Sequence, residues 1–182
     1  GYQLRPGAEA FLPTTLEQLW STRLEQLLQS TRKRAELFSE FEIQKTLELA
    51  AAIGQEVLFR EWGNACNKED LTVPSVLVDE MITQGFASAG HQAWSFTHEG
   101  LRDLLILRAK EAGRWAAHNH VCAAMIDTTY EKSDQGASER LTNYLIEAGA
   151  YDLVIEPLLH LIQKALIRCD WDLARTYLDD VE

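Results

Sequence analysis

The sequence predicts a mainly α fold interrupted once by a small β-hairpin. Three observations carry that expectation. Apolar residues recur at helical spacing through most of the 182 residues. Only ten glycines and four prolines punctuate them. The period changes between Phe86 and Phe96, where Trp94 and Phe96 fall on one side of an extended chain.

A Pro6-Gly7 turn and Pro13 precede a first helix over Thr15 to Gln29, with Leu16, Leu19, Trp20, Leu24, Leu27 and Leu28 on its apolar side. Thr31 to Arg34 reads as a short, solvated basic loop. Ser39 and Glu42 have capping-box spacing, Ile43, Leu47, Ala50 and Ala51 then recur on one face, and Gly54 stops the helix. Val57 to Cys66 reads as a second, shorter helix. Pro74 suits the first turn of a third, which runs to Gln84 and ends at Gly85. Two short strands follow, Phe86 to Ser88 and Trp94 to Phe96, around a turn at Gly90. Three helices followed by a small hairpin is the winged-helix arrangement.

Helical periodicity then resumes. Leu101, Leu104, Leu105, Ala109 and Ala112 make one stripe, and a further helix carries Trp115 to Met125. Thr128 to Gln135 is polar and reads as a loop. Leu141, Tyr144, Leu145 and Ala148 form a face closed by Gly149. Leu158, Ile162, Ala165 and Cys169 form another, and Trp171, Ala174, Leu178 and Val181 a third. The strings EAGAYDLVIEPL and IRCDWDLARTYL each set an aromatic residue and Asp ahead of an amphipathic helix. That looks like tetratricopeptide-type helical hairpins, of which about three are usually needed for stability. Fewer are present, so the array is expected to continue past Glu182. The chain also begins Gly1-Tyr2 instead of Met, and the reading expects a piece of a longer protein.

Composition narrows the function. At 46% hydrophobic and 25% charged the chain is not a disordered one. Acidic residues outnumber basic ones 28 to 17, and a net charge of −11 repels phosphate backbones unless cations cluster. They do not cluster where a winged helix would read DNA. Between Glu69 and Leu101 there is no lysine or arginine, while Glu69, Asp70, Asp79, Glu80 and Glu99 are acidic. No nucleic-acid partner is expected. Cys66, Cys122 and Cys169 are odd in number and lack CxxC spacing, which suits reduced thiols. With neither a membrane-length apolar run nor a signal peptide, a cytoplasmic protein without a membrane partner is expected.

Several strings in order give a more specific expectation: LPTTLEQLWSTRLEQL, TLELAAAIGQEV, MITQGFASAGHQAWSFTHEGLRDLL and the repeat-like tail. Together, from Leu12 to about Asp180, they resemble the region that follows the ATPase core in bacterial STAND-class, AAA-related signalling ATPases. Members of that family are often fused to serine/threonine protein kinases or transcriptional regulators. The resemblance implies a lead-in segment over residues 1–36 from an upstream ATPase lid, a winged helix over 37–97 and the start of helical repeats over 98–182. It implies ATP or ADP in the parent, an upstream ATPase domain and downstream repeats as neighbours, and a protein partner. The chain itself departs from a complete ATPase. It has no GxxxxGK loop followed by Ser or Thr and no acidic Walker-B strand, so no bound cofactor and no hydrolysis are expected of it alone.

His98 is the site residue that the resemblance singles out. SFTHEGLRDLL is similar to the Met-His-Asp motif of related apoptotic and plant-immunity ATPases, with Thr97-His98-Glu99 at the matching positions. There the winged-helix histidine reaches the phosphates of ADP and holds the closed form. Read from the residues alone, a histidine opening a helix suits an anion, or simply packs against the hairpin. His118, His120 and Cys122 hint at a metal, but on a helix His120 points away from the other two, so no metal site is expected. HEGLR at 98–102 lacks the second histidine of a zinc protease. No serine or cysteine has a nucleophile's context, and Asp179-Asp180 reads as a solvated helix end. Trp20, Trp62, Trp94, Trp115 and Trp171 are expected to anchor the core.

The expected function is therefore non-catalytic: a regulatory and scaffolding segment that couples an ATPase's nucleotide state to partner binding. The alternative is a stand-alone helical-repeat adaptor for protein–protein interaction. A phosphate loop some 200 to 300 residues upstream, a spacing implied by the resemblance, would separate the two.

Overall fold

Good helix formers fill most of the chain, and the structure is correspondingly helical. The computed structural model describes residues 16–131 and 133–179. The expected Pro6-Gly7 turn, Pro13, and the chain from Asp180 to Glu182 lie outside the described residues. Among those described, nine helices and three short strands occur in the order α1 (Leu16–Arg34), α2 (Glu40–Ile53), β1 (Glu56–Leu58), α3 (Phe59–Lys68), α4 (Leu77–Thr83), β2 (Ala87–Ala89), β3 (Ala93–Phe96), α5 (Glu99–Glu111), α6 (Trp115–Thr129), α7 (Gln135–Glu147), α8 (Tyr151–Ile167) and α9 (Trp171–Asp179).

α2 begins as its sequence dictates. The Glu42 backbone N–H donates to Ser39 Oγ at 3.1 Å, and the Ser39 backbone N–H donates back to Glu42 Oε2 at 2.8 Å. From Thr46 to Ile53 every residue is buried, because α1, α3, α5 and α6 all pack around this helix. Gly54 then turns the chain out at φ 150°.

The small sheet differs from the expected hairpin by one strand. Val57 belongs to β1, not to a helix, and pairs antiparallel with Trp94 of β3. Ser88 of β2 pairs with Ser95 from the other side, so the strand order is β1-β3-β2. β3 is central, and its alternation puts Trp94 and Phe96 together in the core, their rings 4.8 Å apart at 62°. Trp62 of α3 meets Trp94 edge-on at 5.3 Å and donates its indole N–H to the Thr46 carbonyl at 2.7 Å.

Four other expectations are corrected. Thr31 to Arg34 is the last turn of α1, not a loop: Thr31 is fully buried, and Arg34 pairs with Glu80 of α4 at 2.9 Å. Pro74 precedes α4 and accepts from the Leu77 N–H at 2.9 Å, so it opens a turn and lies outside the helix. α6 runs on to Thr129, since the Thr128 hydroxyl satisfies itself on the Ala124 carbonyl at 2.9 Å, and the loop begins only after it. The apolar stripes also overreach at their ends. Leu16 is 70% and Trp171 67% exposed, and Cys169 sits exposed at φ 58° just after α8.

α6, α7, α8 and α9 each pack along the next, forming a helical array that continues from α2 and α3 without a break in the core. Two buried carboxylates fasten this array. Glu48 of α2 is fully buried. It accepts a fork from Arg114, at 2.9 Å from Nε and 2.8 Å from Nη2, together with Gln44 at 2.7 Å and His118 Nε2 at 2.9 Å. Glu61 of α3 is equally shielded and accepts both guanidinium nitrogens of Arg140 of α7, at 2.9 and 2.6 Å, and the Tyr130 hydroxyl. Burial alone would raise the Glu48 carboxyl, but donors from His118, Arg114 and Gln44 outweigh it and hold it at about 2.

A carboxylate held below its ordinary 4.5 contributes stability that is complete above that value and lost as pH falls towards about 2. Glu48→Gln should therefore flatten the acid arm of a stability–pH profile in that window. Glu48→Ala, which leaves Arg114 and His118 without their acceptor, should cost about 3 kcal/mol in urea denaturation at neutral pH. An unchanged urea midpoint for Glu48→Ala would contradict the assigned role.

Candidate functional site

The chain leaves β3 into a fixed corner. The Thr97 N–H donates to the Phe86 carbonyl at 2.9 Å and its hydroxyl to the Gly85 carbonyl at 2.6 Å. That places His98 at the N-cap position of α5, exposed and in extended backbone at φ −136° and ψ 127°. Its side chain makes no capping hydrogen bond. The first-turn amides of a 13-residue helix are thus left without a side-chain cap, the arrangement that suits an anion. Glu99 in the same turn adds an opposing negative charge.

The imidazole rests on α1. Its ring lies 5.4 Å from the Trp20 ring at 46°. Trp20 in turn lies directly over Gly100, where a Cβ would overlap the indole. Arg23 completes the cluster, with its guanidinium 4.3 Å from the centre of the Phe86 ring and 5.4 Å from that of Trp20, donating to the Gln84 carbonyl at 2.8 Å. His98 therefore stands at a junction of α1, the sheet and α5, with one face against Trp20. The Trp20 contact could be read from the sequence only once α1 was known to cross the start of α5.

The other residues weighed from the sequence are not brought together. His118 faces Glu48, and since an ionised carboxylate can only accept, Nε2 carries the proton between them. His120 is exposed on the opposite side of α6. Cys122 is buried, and among the described residues no group of three His, Cys, Asp or Glu side chains is placed to hold a metal. Burial pushes the Cys66 and Cys122 thiols up to about 12, so both stay protonated at neutral pH. Of the tryptophans, Trp62 and Trp94 are core anchors, Trp20 and Trp115 pack against the core's edge, and Trp171 is exposed. On α4, Asp79 is exposed and Glu80 is held by Arg34 and Gln84.

Sequence reasoning missed one feature. α6 and α8 lie along α7 and enclose a groove of about 970 Å³ between them. Its walls mix apolar and acidic side chains, and half of α8 presents Leu153, Ile155 and Leu159 outward. A signal was present: α8 is apolar at far more positions than one buried stripe requires.

Gly100→Ala should unseat Trp20 and cost about 2 kcal/mol, read as a lower urea midpoint with altered tryptophan emission. Trp20→Phe in the same background should recover part of the loss. An unaltered midpoint would mean the indole is not held there.

Compared with known proteins, the chain matches no family model, no curated protein and no solved structure.

Proposed function

We propose that this chain is a non-catalytic regulatory segment of a multidomain signalling ATPase, in which a winged helix and tetratricopeptide-like hairpins couple nucleotide state to a protein partner. The observation that carries the reading is the order of elements from α2 to β3. Helix, strand, two helices and two strands fold with the sheet order β1-β3-β2 and pass directly into α5, with His98 at the joint. That order is what a winged helix requires, and the STAND resemblance puts a nucleotide-sensing histidine at this joint. α6 to α9, packed each on the next, support the repeat-like half.

His98 fits the proposed role chemically. It is exposed, its ring is not spent on a cap, and the amides beside it lack one. In the parent, ADP or ATP would supply the phosphate charge that distinguishes closed from open forms. This chain's contribution is to hold a donor at a set place, with Trp20 and the Thr97 hydrogen bonds fixing the imidazole's position. Such a contact biases a two-state equilibrium and performs no chemistry. The exposed apolar side of α8 favours a second reading, a helical adaptor that needs no ATPase.

Two outcomes follow. Because α4 and the β2–β3 turn carry no lysine or arginine, duplex DNA should show no gel shift with this protein at low salt, and micromolar binding that falls steeply with added salt would overturn the assignment. In the full-length protein, His98→Ala should weaken ADP retention roughly ten- to a hundredfold and raise basal activity, because a hydrogen bond to a charged group is worth about 1.5–3 kcal/mol. The melting temperature should barely change, since the side chain is exposed. A lowered melting temperature with unchanged ADP release would leave His98 as a packing residue only.

A further inference from the structure

We infer that the groove between α6 and α8 receives a basic, amphipathic helix from a partner protein. The inference rests on the partner-binding half of the preceding reading and needs nothing from its nucleotide half.

The shape comes from the helical array. α6 and α8 pack on opposite flanks of α7, whose Ala137, Leu141 and Leu145 form an apolar floor. Along α6 the wall residues His120, Ala123, Ala124 and Asp127 lie on one helical face, and Glu131 joins the wall just after the helix ends. Along α8 the same spacing brings Asp152, Ile155, Glu156, Leu159 and Gln163 to the other wall. The α8 stripe spans roughly 17 Å, about three turns at 1.5 Å per residue, and the α6 stripe about 10 Å. An elongated occupant with apolar anchors at i, i+3 or i+4, and i+7 matches that length. Ala123 and Ala124 leave room for its backbone to approach one wall. Ile155 and Leu159, 59% and 52% exposed, offer apolar surface on the other.

Charge selects among helices. Among the described residues the groove is lined by the carboxylates of Asp127, Glu131 and Asp152, and by no lysine or arginine. The remaining titratable side chains on its walls are Glu156, His120, His160 and Tyr130. An apolar floor between acidic walls complements a helix with a leucine-type stripe flanked by Lys or Arg. The same walls oppose a nucleic acid. They also oppose a second copy of this chain, whose net charge is −11.

The test uses the whole chain and a fluorescein-labelled 16-residue helical peptide of leucines and lysines, with a control in which every lysine is glutamate. At physiological salt, fluorescence anisotropy should give micromolar affinity for the lysine peptide and none for the glutamate one. Ile155→Ala with Leu159→Ala, both at exposed positions that the fold does not need, should weaken binding by at least about tenfold. Asp127→Lys with Glu131→Lys should do the same. Glu36→Lys with Glu111→Lys, the same charge change away from the groove, should leave affinity within about threefold. Equal losses from both charge pairs, or equal binding of both peptides, would overturn the inference. So would a dimer that Leu159→Arg dissociates, or lysine-peptide binding that appears only when residues 1–15 are removed. The His98 and groove tests fail separately, because one reads nucleotide retention and the other peptide affinity.

Discussion

A carboxylate with no access to water fixes how this molecule is assembled. Glu48 lies on the central helix, where every neighbouring position from Thr46 to Ile53 is buried. Transferred alone into that interior, its charge would be prohibitively costly. The fold is compatible with it only if Arg114 and His118 reach it, and these two sit one turn apart on the same face of the start of α6. The pairing therefore sets both the rotation and the axial position of α6 against α2. A wholly apolar contact would tolerate a slide of one turn, whereas a forked hydrogen bond does not.

Glu61 repeats the device one helix along. Its bonds to Arg140 and Tyr130 tie α3 to α7 and to the segment after α6. With two such locks, the orientation of α7, and so of the groove it floors, follows from the helices around the sheet. Among the described residues, no fully buried carboxylate stands on α8 or α9. They are held by Val154, Leu158, Leu161, Ala165 and Ala174 and by more exposed polar contacts such as Lys164 to the Ser133 carbonyl. The polar specification of the array thus fades towards its end, where its outward apolar surface is largest.

What the sequence disclosed follows from how far each signal depends on tertiary context. The Ser39–Glu42 box, the Gly54 and Gly149 ends and the Trp94/Phe96 alternation are local, and each was legible. β1 was not, because three residues are too few to separate a period of two from one of 3.6, and Val57 becomes a strand residue only by pairing with Trp94. The basic end of α1 misled for a related reason: Arg32 and Arg34 read as solvated charges until Glu40 and Glu80 are brought beside them. Nothing in the sequence pattern set Glu48 apart. Its signal lay in the neighbours, since a helix apolar on all sides has no solvent face to give it. At the candidate site, His98 and its place at a helix start were legible. Trp20 against it was not, because contact across 78 positions of sequence has no local trace.

The strengths of these contacts decide which part of the molecule can respond to an event at His98. α5 joins His98 at one end to Gly113 and Arg114 at the other, so it connects the candidate site to the Glu48 lock. Breaking a buried pair costs about 3–5 kcal/mol, more than the roughly 1–3 kcal/mol by which one ligand usually biases another site. On its other side α5 meets α1 through the stacked Trp20 and through Arg108, whose contacts with Ser21 and Glu25 lie near solvent. An exposed pair of that kind is worth between nothing and about 1 kcal/mol. Between a strong lock and a weak one, displacement is taken up at the weak one. The polar contacts thus tie α5 more firmly to α2 and α6 than to α1, whose hold on the core is the apolar one of Leu24, Leu27 and Leu28.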